Sequence, residues 1–341
     1  MNKEKNIIPI LVVLGPTASG KTSFAVKLAE YFGGEIISAD SRQLYKGMDI
    51  GSGKDITEYT LPDGRKIPYH LIDIVEPAYD YNLAEFMKDC HAAIKKIHAS
   101  GNKVILAGGT ALYLDSILRS YKLTGGAPSP EERRSLREMS ADDLRRKLDS
   151  LEPDSEILKN EPENLNRISR RIEMLQKNPD EELLYATMQD ENIQYQFFVT
   201  GVFRPREEIR RRIELRLDER LANGMLDEER FLHEEKGVSF EKLEFFGLEY
   251  KYMALYLQNK LSYDEMRSEL LNKIRQFAKR QDSWFRYIER RGIPIYWFTP
   301  EKDWDKVIAL GEKFFAGEEL PEPEKRLSEI FYGKVTSIGR K

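Results

Sequence analysis

Apolar residues along this chain fall into short dense runs early on, separated by stretches with a helical repeat. Residues 7–14 are apolar and rich in β-branched side chains, the pattern of a buried strand. Residues 35–39, 69–75 and 103–107 repeat that texture. Between and after them, residues 22–32, 83–99 and 111–118 carry apolar positions at helical spacing. Strands alternating with helices predict a parallel sheet with right-handed crossovers. Residues 57–66, with Pro62-Asp63-Gly64, read as a surface turn.

The texture changes after Thr124-Gly125-Gly126-Ala127-Pro128. From Glu131 to about Asp190 the chain is charged and helical in period, which predicts a helical insertion over residues 123–193. Residues 194–203 return to strand character and are expected to rejoin the sheet. A helix follows with Ile209, Ile213, Leu217 and Leu221 on one face, and further helices are expected over 223–261. The last long helix shows Met266, Leu270, Ile274, Phe277, Trp284 and Ile288 as an apolar stripe, expected to be core. Residues 293–299 read as a final strand, and an acidic tail runs over 316–341. The predicted sheet-bearing core thus spans 1–122, 194–222 and 262–315. The fold class is α/β: a P-loop NTPase-like parallel sheet flanked by helices, with a helical insertion domain.

Composition narrows the function. The 341 residues are 40% hydrophobic and 33% charged, enough for about two domains with a sizeable core. The apolar runs are too short to span a bilayer, the first residues lack a secretory layout, and Cys90 is the lone cysteine. A cytoplasmic, monomeric enzyme is the simplest expectation. A net charge of −4 argues against indiscriminate nucleic-acid binding, yet seven arginines fall between Arg204 and Arg220. A second basic group runs from Lys273 to Arg291. The two suggest a basic groove on an otherwise acidic protein, or else helix surfaces laced with ion pairs such as Glu207–Arg211.

The sharpest motif is Gly15-Pro16-Thr17-Ala18-Ser19-Gly20-Lys21-Thr22, a phosphate-binding loop between the first strand and first helix. Backbone N–H groups and a helix N-terminus there make an anion cradle. Lys21 can reach the outer phosphate of a di- or triphosphate, and the Thr22 hydroxyl can hold Mg²⁺. At the end of the second strand stands Asp40-Ser41-Arg42-Gln43-Leu44-Tyr45, and at the end of the fourth Gly108-Gly109-Thr110-Ala111-Leu112-Tyr113. Ligands bind such sheets at the C-terminal ends of their strands, which gathers Asp40 and Thr110 at the phosphate loop. Taken singly, Asp40-Ser41 also reads as an N-cap and Gly108-Gly109 as a tight turn.

Together with Tyr69-His70-Leu71-Ile72-Asp73-Ile74, these motifs resemble the tRNA dimethylallyltransferases, also called tRNA isopentenyltransferases. Asn164-Leu165-Asn166-Arg167-Ile168-Ser169-Arg170-Arg171 and Arg275-Gln276-Phe277-Ala278-Lys279-Arg280-Gln281 are similar to two later patterns of that family. The resemblance implies transfer of a dimethylallyl group from dimethylallyl diphosphate to the N6 amine of adenine at tRNA position 37. It implies that residues 15–22 hold the diphosphate with Mg²⁺ on Thr22, that Asp40 takes an N6 proton, and that Thr110 bridges the two substrates. It further implies contacts to the anticodon stem-loop from Ser41, Arg42, Gln43, Arg133, Asn166, Arg167, Ile168, Ser169 and Arg170. Arg275, Lys279 and Arg280 join that expected surface.

The chain departs from the family pattern at two places. Where the pattern has Arg-Ala-x-Gly-Tyr-Lys-Glu, this chain reads Phe246-Gly247-Leu248-Glu249-Tyr250-Lys251-Tyr252, and Ile274 replaces a threonine. One diphosphate contact is therefore expected to be missing or supplied by another residue. A prenyltransferase acting on free adenine nucleotide, a P-loop small-molecule kinase and a non-enzymatic RNA-binding protein are the alternatives. The insertion and the arginine clusters favour tRNA over the first, and the paired Asp-Ser and Gly-Gly-Thr motifs weigh against the second. An intact phosphate cradle with an adjacent carboxylate weighs against the third.

Overall fold

The structure is a computed structural model that describes residues 6–121, 130–176 and 193–329. The Gly-Gly linker at 124–128 and the acidic tail from residue 330 onward lie outside the described residues. Met1–Ser120 with Glu191–Lys341 make one unit, and Tyr121–Asp190 make a second.

In the first unit, β1 (Asn6–Leu14) leads through the phosphate loop into α1 (Lys21–Phe32), then β2 (Gly34–Ser38). Gly33 adopts a left-handed backbone (φ 64°) and stops α1 sharply, so β2 starts at once. The expected strand over 69–75 is shorter: β3 covers only Tyr69–His70. Leu71 and Asp73 take left-handed conformations (φ 61° and 54°) that end the pairing. They are held there because the fully buried Lys54 ammonium binds the Asp73 carboxylate, Asp49 Oδ1 (2.7 Å) and the Tyr45 carbonyl (2.6 Å). Next come α2 (Leu83–Ala99), opened by an Asn82–Glu85 capping box, β4 (Lys103–Gly108) and α3 (Ala111–Leu118).

The second unit holds α4 (Pro130–Glu138), α5 (Ala141–Leu151), α6 (Glu156–Asn160) and α7 (Leu165–Leu175) around Leu136, Leu144, Leu148, Ile168 and Ile172. The chain returns as β5 (Ile193–Val202). The helices α8 (Arg206–Ala222), α9 (Met225–Glu234), α10 (Phe240–Phe245), α11 (Leu248–Leu257) and α12 (Tyr263–Arg290) follow. The last elements are β6 (Tyr296–Phe298), shorter than expected, and α13 (Trp304–Phe315).

Among the described residues all six strands are parallel, in the order β3-β2-β4-β1-β5-β6. Pro9 lies one residue before β1 meets β4 at Ile10–Val104, where its missing N–H breaks no ladder bond on that side. Leu11 and Val13 of β1 pack with Phe24, Leu28, Phe198 and Phe314 in the main core, each under 3% exposed. Burying such side chains contributes about 1.5–3 kcal/mol apiece. The sheet centre is thereby fixed, and with it the positions of the loops at the C-terminal ends of β1, β2 and β4.

One buried group works against stability. Glu229 on α9 is fully buried and neither carboxyl oxygen finds a hydrogen-bond partner among the described residues. Burial, with Glu228 adjacent, pushes its carboxyl up to about 9 from an ordinary 4.5. The folded chain prefers the protonated form, so this group leaves stability intact below pH 4.5 and subtracts from it as pH rises toward 9. Glu229→Gln is therefore expected to raise the melting temperature at pH 8 by about 5 °C, with the gain fading toward pH 5. Thermal melts across that range check it; a gain that does not change with pH rules out a buried titrating carboxyl.

Candidate active site

The phosphate loop is shaped by two left-handed residues, Ala18 (φ 61°) and Gly20 (φ 88°), with the Ser19 N–H donating to the Pro16 carbonyl at 3.2 Å. Thr17, Ala18, Gly20, Lys21 and Thr22 line a cleft of about 1110 Å³. Gly15, Pro16 and Ser19 do not line it. A Cβ on Gly15 would stand 2.8 Å from Ser19 Oγ and 3.3 Å from Val202 Cβ, and Ser19 is fully buried. Gly15 and Ser19 are buried and shape the loop from behind.

Lys21 reaches the cleft floor against Gly109, where a Cβ would sit 3.4 Å from its Nζ and 2.8 Å from Gln281 Nε2. Desolvation pushes the Lys21 ammonium down to about 8; Arg216 and Arg220 push the same way, and Asp40 and Glu58 oppose them. A cation destabilised by its surroundings gains most when an anion arrives.

Asp40, Ser41, Arg42, Gln43 and Thr110 line the same cleft. They follow β2 and β4, which the sheet makes neighbours. Asp40 Oδ1 accepts the Arg42 N–H at 3.0 Å, which sets the carboxylate's direction. Thr110 Oγ1 accepts the Ser41 N–H at 2.9 Å and lies 3.3 Å from Ser41 Oγ, tying the two strand ends together. Gln43 is 7% exposed; its Nε2 donates to the Gly53 carbonyl (3.2 Å) and its Oε1 accepts from Ser38 Oγ (2.7 Å). Its amide thus holds the chain at Gly53 while the residue still lines the cleft.

Several residues to which the sequence patterns assigned no task at the cleft complete the site. Gln281 sits on the buried stripe of α12, accepts the Thr17 N–H (2.8 Å) and donates to the Gly109 carbonyl (2.9 Å). It clamps the phosphate loop to the end of β4. Glu228 accepts the N–H groups of Asp49 (2.8 Å), Ile50 (2.6 Å) and Gly51 (3.0 Å), and the Tyr250 hydroxyl (2.8 Å). Four donors on one carboxylate fix the segment that forms the far wall. Arg204, just before α8, and Arg212 on it donate to the carbonyls of Ser19 (2.7 Å) and Ala18 (2.8 Å), bracing the phosphate loop.

Phe277 and Trp284 also line the cleft, Phe277 at 37% exposure with Arg280 5.8 Å above its ring. They were expected in the core. On a helix of 28 residues the apolar stripe drifts round the axis, and these two fall where it leaves the core for the cleft rim. Arg280 lines the cleft as well. Arg275 and Lys279 do not: Arg275 turns to Glu214 of α8 at 2.7 Å, and Lys279 is exposed.

In the helical unit, α7 carries Asn166, Arg167, Ile168, Ser169 and Arg170. Ile168 is fully buried in that unit's core, so its side chain offers nothing to RNA; the expectation for it is corrected. Arg167 pairs with Glu161 and is 56% exposed, and Arg170 reaches Glu173 at 3.0 Å. Ser169 is half-buried. The side chains of Arg133 and Asn166 lie outside the described set.

The site can therefore bind a polyanion at one end and orient an acceptor against a carboxylate at the other. Residues 43–288 match the family model described as IPP transferase. The chain is 44% identical over 290 residues to tRNA dimethylallyltransferase 1 of Syntrophus aciditrophicus, covering 84% of this chain and 92% of that protein. It is 42% identical over 305 residues to tRNA dimethylallyltransferase 1 of Parabacteroides distasonis, covering 88% and 95%. Among solved structures it is similar to the tRNA isopentenylpyrophosphate transferase of Bacillus halodurans (TM-score 0.62, 30% identity, 92% and 96% covered). It is also similar to a eukaryotic dimethylallyltransferase acting on tRNA (TM-score 0.73, 25% identity, 94% and 82% covered). With most of its length matched on both counts, this chain belongs to the IPP transferase family.

Proposed function

We propose that this protein transfers a dimethylallyl group from dimethylallyl diphosphate to the N6 amine of the adenine at position 37 of tRNA. The observation that carries the reading is the joint placement of Lys21, Thr22, Asp40 and Thr110 on one cleft. The names of the relatives support it, and the geometry gives each residue a task.

The diphosphate lies along the phosphate loop, with the amides at the start of α1 and the Lys21 ammonium meeting its oxygens. The adenine turns out of the anticodon loop into the cleft, as chemistry on an amine inside a stacked loop requires. Phe277 and Trp284 at the rim offer aromatic faces to the displaced nucleotides. Its N6 lone pair is delocalised into the ring, so the amine is a weak nucleophile. Asp40 accepts an N6–H hydrogen bond and takes that proton as the N6–C1 bond forms and the C1–O bond to the diphosphate breaks. Thr110, held by Ser41, orients both substrates. Preorganised cations and backbone N–H groups stabilise the charge that develops on the leaving diphosphate.

Mg²⁺ fits the donor set. The Thr22 hydroxyl and the Asp40 carboxylate share the cleft, and no group of three or more His, Cys, Asp or Glu among the described residues forms a cage. That suits an ion that keeps its waters and binds chiefly through substrate phosphates. Thr22 would hold it, and it would neutralise diphosphate charge.

The test is incubation of the full chain with an unmodified anticodon stem-loop and either dimethylallyl diphosphate or ATP, then mass measurement of the RNA. A gain of one C5H8 unit with the first donor is expected. ATP consumption with no mass change in the RNA overturns the reading in favour of a kinase or ATPase.

A further inference from the structure

Phe246 leaves a charge missing from the cleft, and the structure shows where cations gather instead. Phe246 is fully buried against Tyr45, ring centroids 4.7 Å apart, and brings no cation. Three residues on, Glu249 adds a carboxyl to the same wall. Facing it, α8 presents Arg212, Arg216 and Arg220 at four-residue spacing, a ladder on one helix face about 12 Å long. Its first rung braces the phosphate loop through the Ala18 carbonyl. The other two run on into the cleft and converge over Gly53. A Cβ there would fall 2.0 Å from Arg220 Nη2 and 2.6 Å from Arg216 Nη2, so only glycine leaves room for both guanidinium groups.

Like charges one turn apart repel, so two arginines held together on one face need a counter-anion. Both share a single carboxylate oxygen, Asp55 Oδ2, at 2.6 Å from Arg216 and 3.4 Å from Arg220. Asp55 itself is held in a left-handed conformation (φ 43°, ψ 48°). Arg220 is the more enclosed of the two, with a side chain 14% exposed against 30% for Arg216. Glu58 and Glu249 lie on the same wall and offset part of this charge, but Asp55 is the carboxylate bonded to both guanidinium groups, and the pair faces the space above Lys21.

We propose that Arg220, backed by Arg216, grips the far phosphate of the diphosphate in place of the missing arginine, releasing Asp55 as the anion enters. The inference rests on the donor-site reading above. Planar guanidinium groups match phosphate oxygens better than a shared carboxylate does, and a diphosphate brings more charge than Asp55. Asp55 is then a built-in competitor that keeps the pair in place while the cleft is empty.

The test is calorimetric titration of the full chain with inorganic pyrophosphate and Mg²⁺, alongside KM for dimethylallyl diphosphate and the Kd for an anticodon stem-loop. Arg220→Met is expected to weaken pyrophosphate about thirtyfold, the scale of a lost charged hydrogen bond, and to leave the RNA Kd unchanged. Arg220→Lys should recover part of the loss. Asp55→Asn should tighten pyrophosphate several-fold, the opposite sign. If Arg220→Met changes affinity less than twofold, or if Asp55→Asn weakens binding as well, the pair is structural and the inference is overturned. Lys21→Met separates the two readings. If it too leaves pyrophosphate bound, the donor site itself has been misplaced.

Discussion

Asp40→Asn is expected to slow prenyl transfer at least hundredfold while leaving the affinity for an anticodon stem-loop within about threefold, the usual consequence of losing a general base. The substitution keeps the side chain's size and an oxygen that can still accept the Arg42 N–H, so the turn after β2 survives. What it removes is the capacity to accept a proton. Single-turnover rates report the chemical step, and a filter-binding or calorimetric Kd reports the RNA. Equal losses in both would show that Asp40 anchors the base, and an unchanged rate would assign the proton to another acceptor.

Lys21→Met is expected to lower kcat/KM for dimethylallyl diphosphate about a thousandfold. Lys21 is recessed at the cleft floor, where burial already depresses its ammonium. Removing it leaves Arg216 and Arg220 as cations nearby, so diphosphate binding falls without a change of fold. Charge growing on the departing oxygen then loses its nearest counter-ion, and losses of about 2.7–4 kcal/mol, on the order of 10²–10³ in rate, are usual for one such group. Steady-state kinetics with the donor varied at saturating RNA separate the two effects. A rise in KM alone would mean that Lys21 holds the ground state and the transition state equally.

Much of this site was legible because its parts are contiguous in sequence and obligatory in type. The phosphate loop needs glycines at fixed spacing, and the strands around it are apolar on both faces, so residues 7–14 and 103–107 read correctly as buried strands. The strand expected over 69–75 failed for a reason no local pattern carries. Lys54 draws Asp73 across a gap of nineteen residues, and the backbone turns to follow. Gln281 stood in a quoted pattern, but its task was hidden for the opposite reason. It lies seven residues from Ile274 and from Ile288, on the buried face of α12, where a polar residue looks like a packing exception. Only the sheet and α12 together show that its amide reaches Thr17 and Gly109. Glu228 likewise reads as one more surface acid until the segment at Asp49–Gly51 arrives beneath it. The basic clusters were half legible: their number was visible, but which arginines face the cleft and which are held by Glu214 or Asp282 depends on helix rotation.

The bridge that Gln281 makes has a consequence for biosynthesis. The loop it fastens leaves the ribosome more than two hundred and fifty residues before the glutamine does. The β5 strand that flanks β1 is also a late arrival. A nascent chain therefore carries an unfastened anion cradle until the residues of α12 have followed, and the cleft sets only when that helix packs onto it. Such widely separated partners make folding slow relative to helical bundles of similar size. Interrupted synthesis before that helix yields a chain with the phosphate motif present and no working pocket.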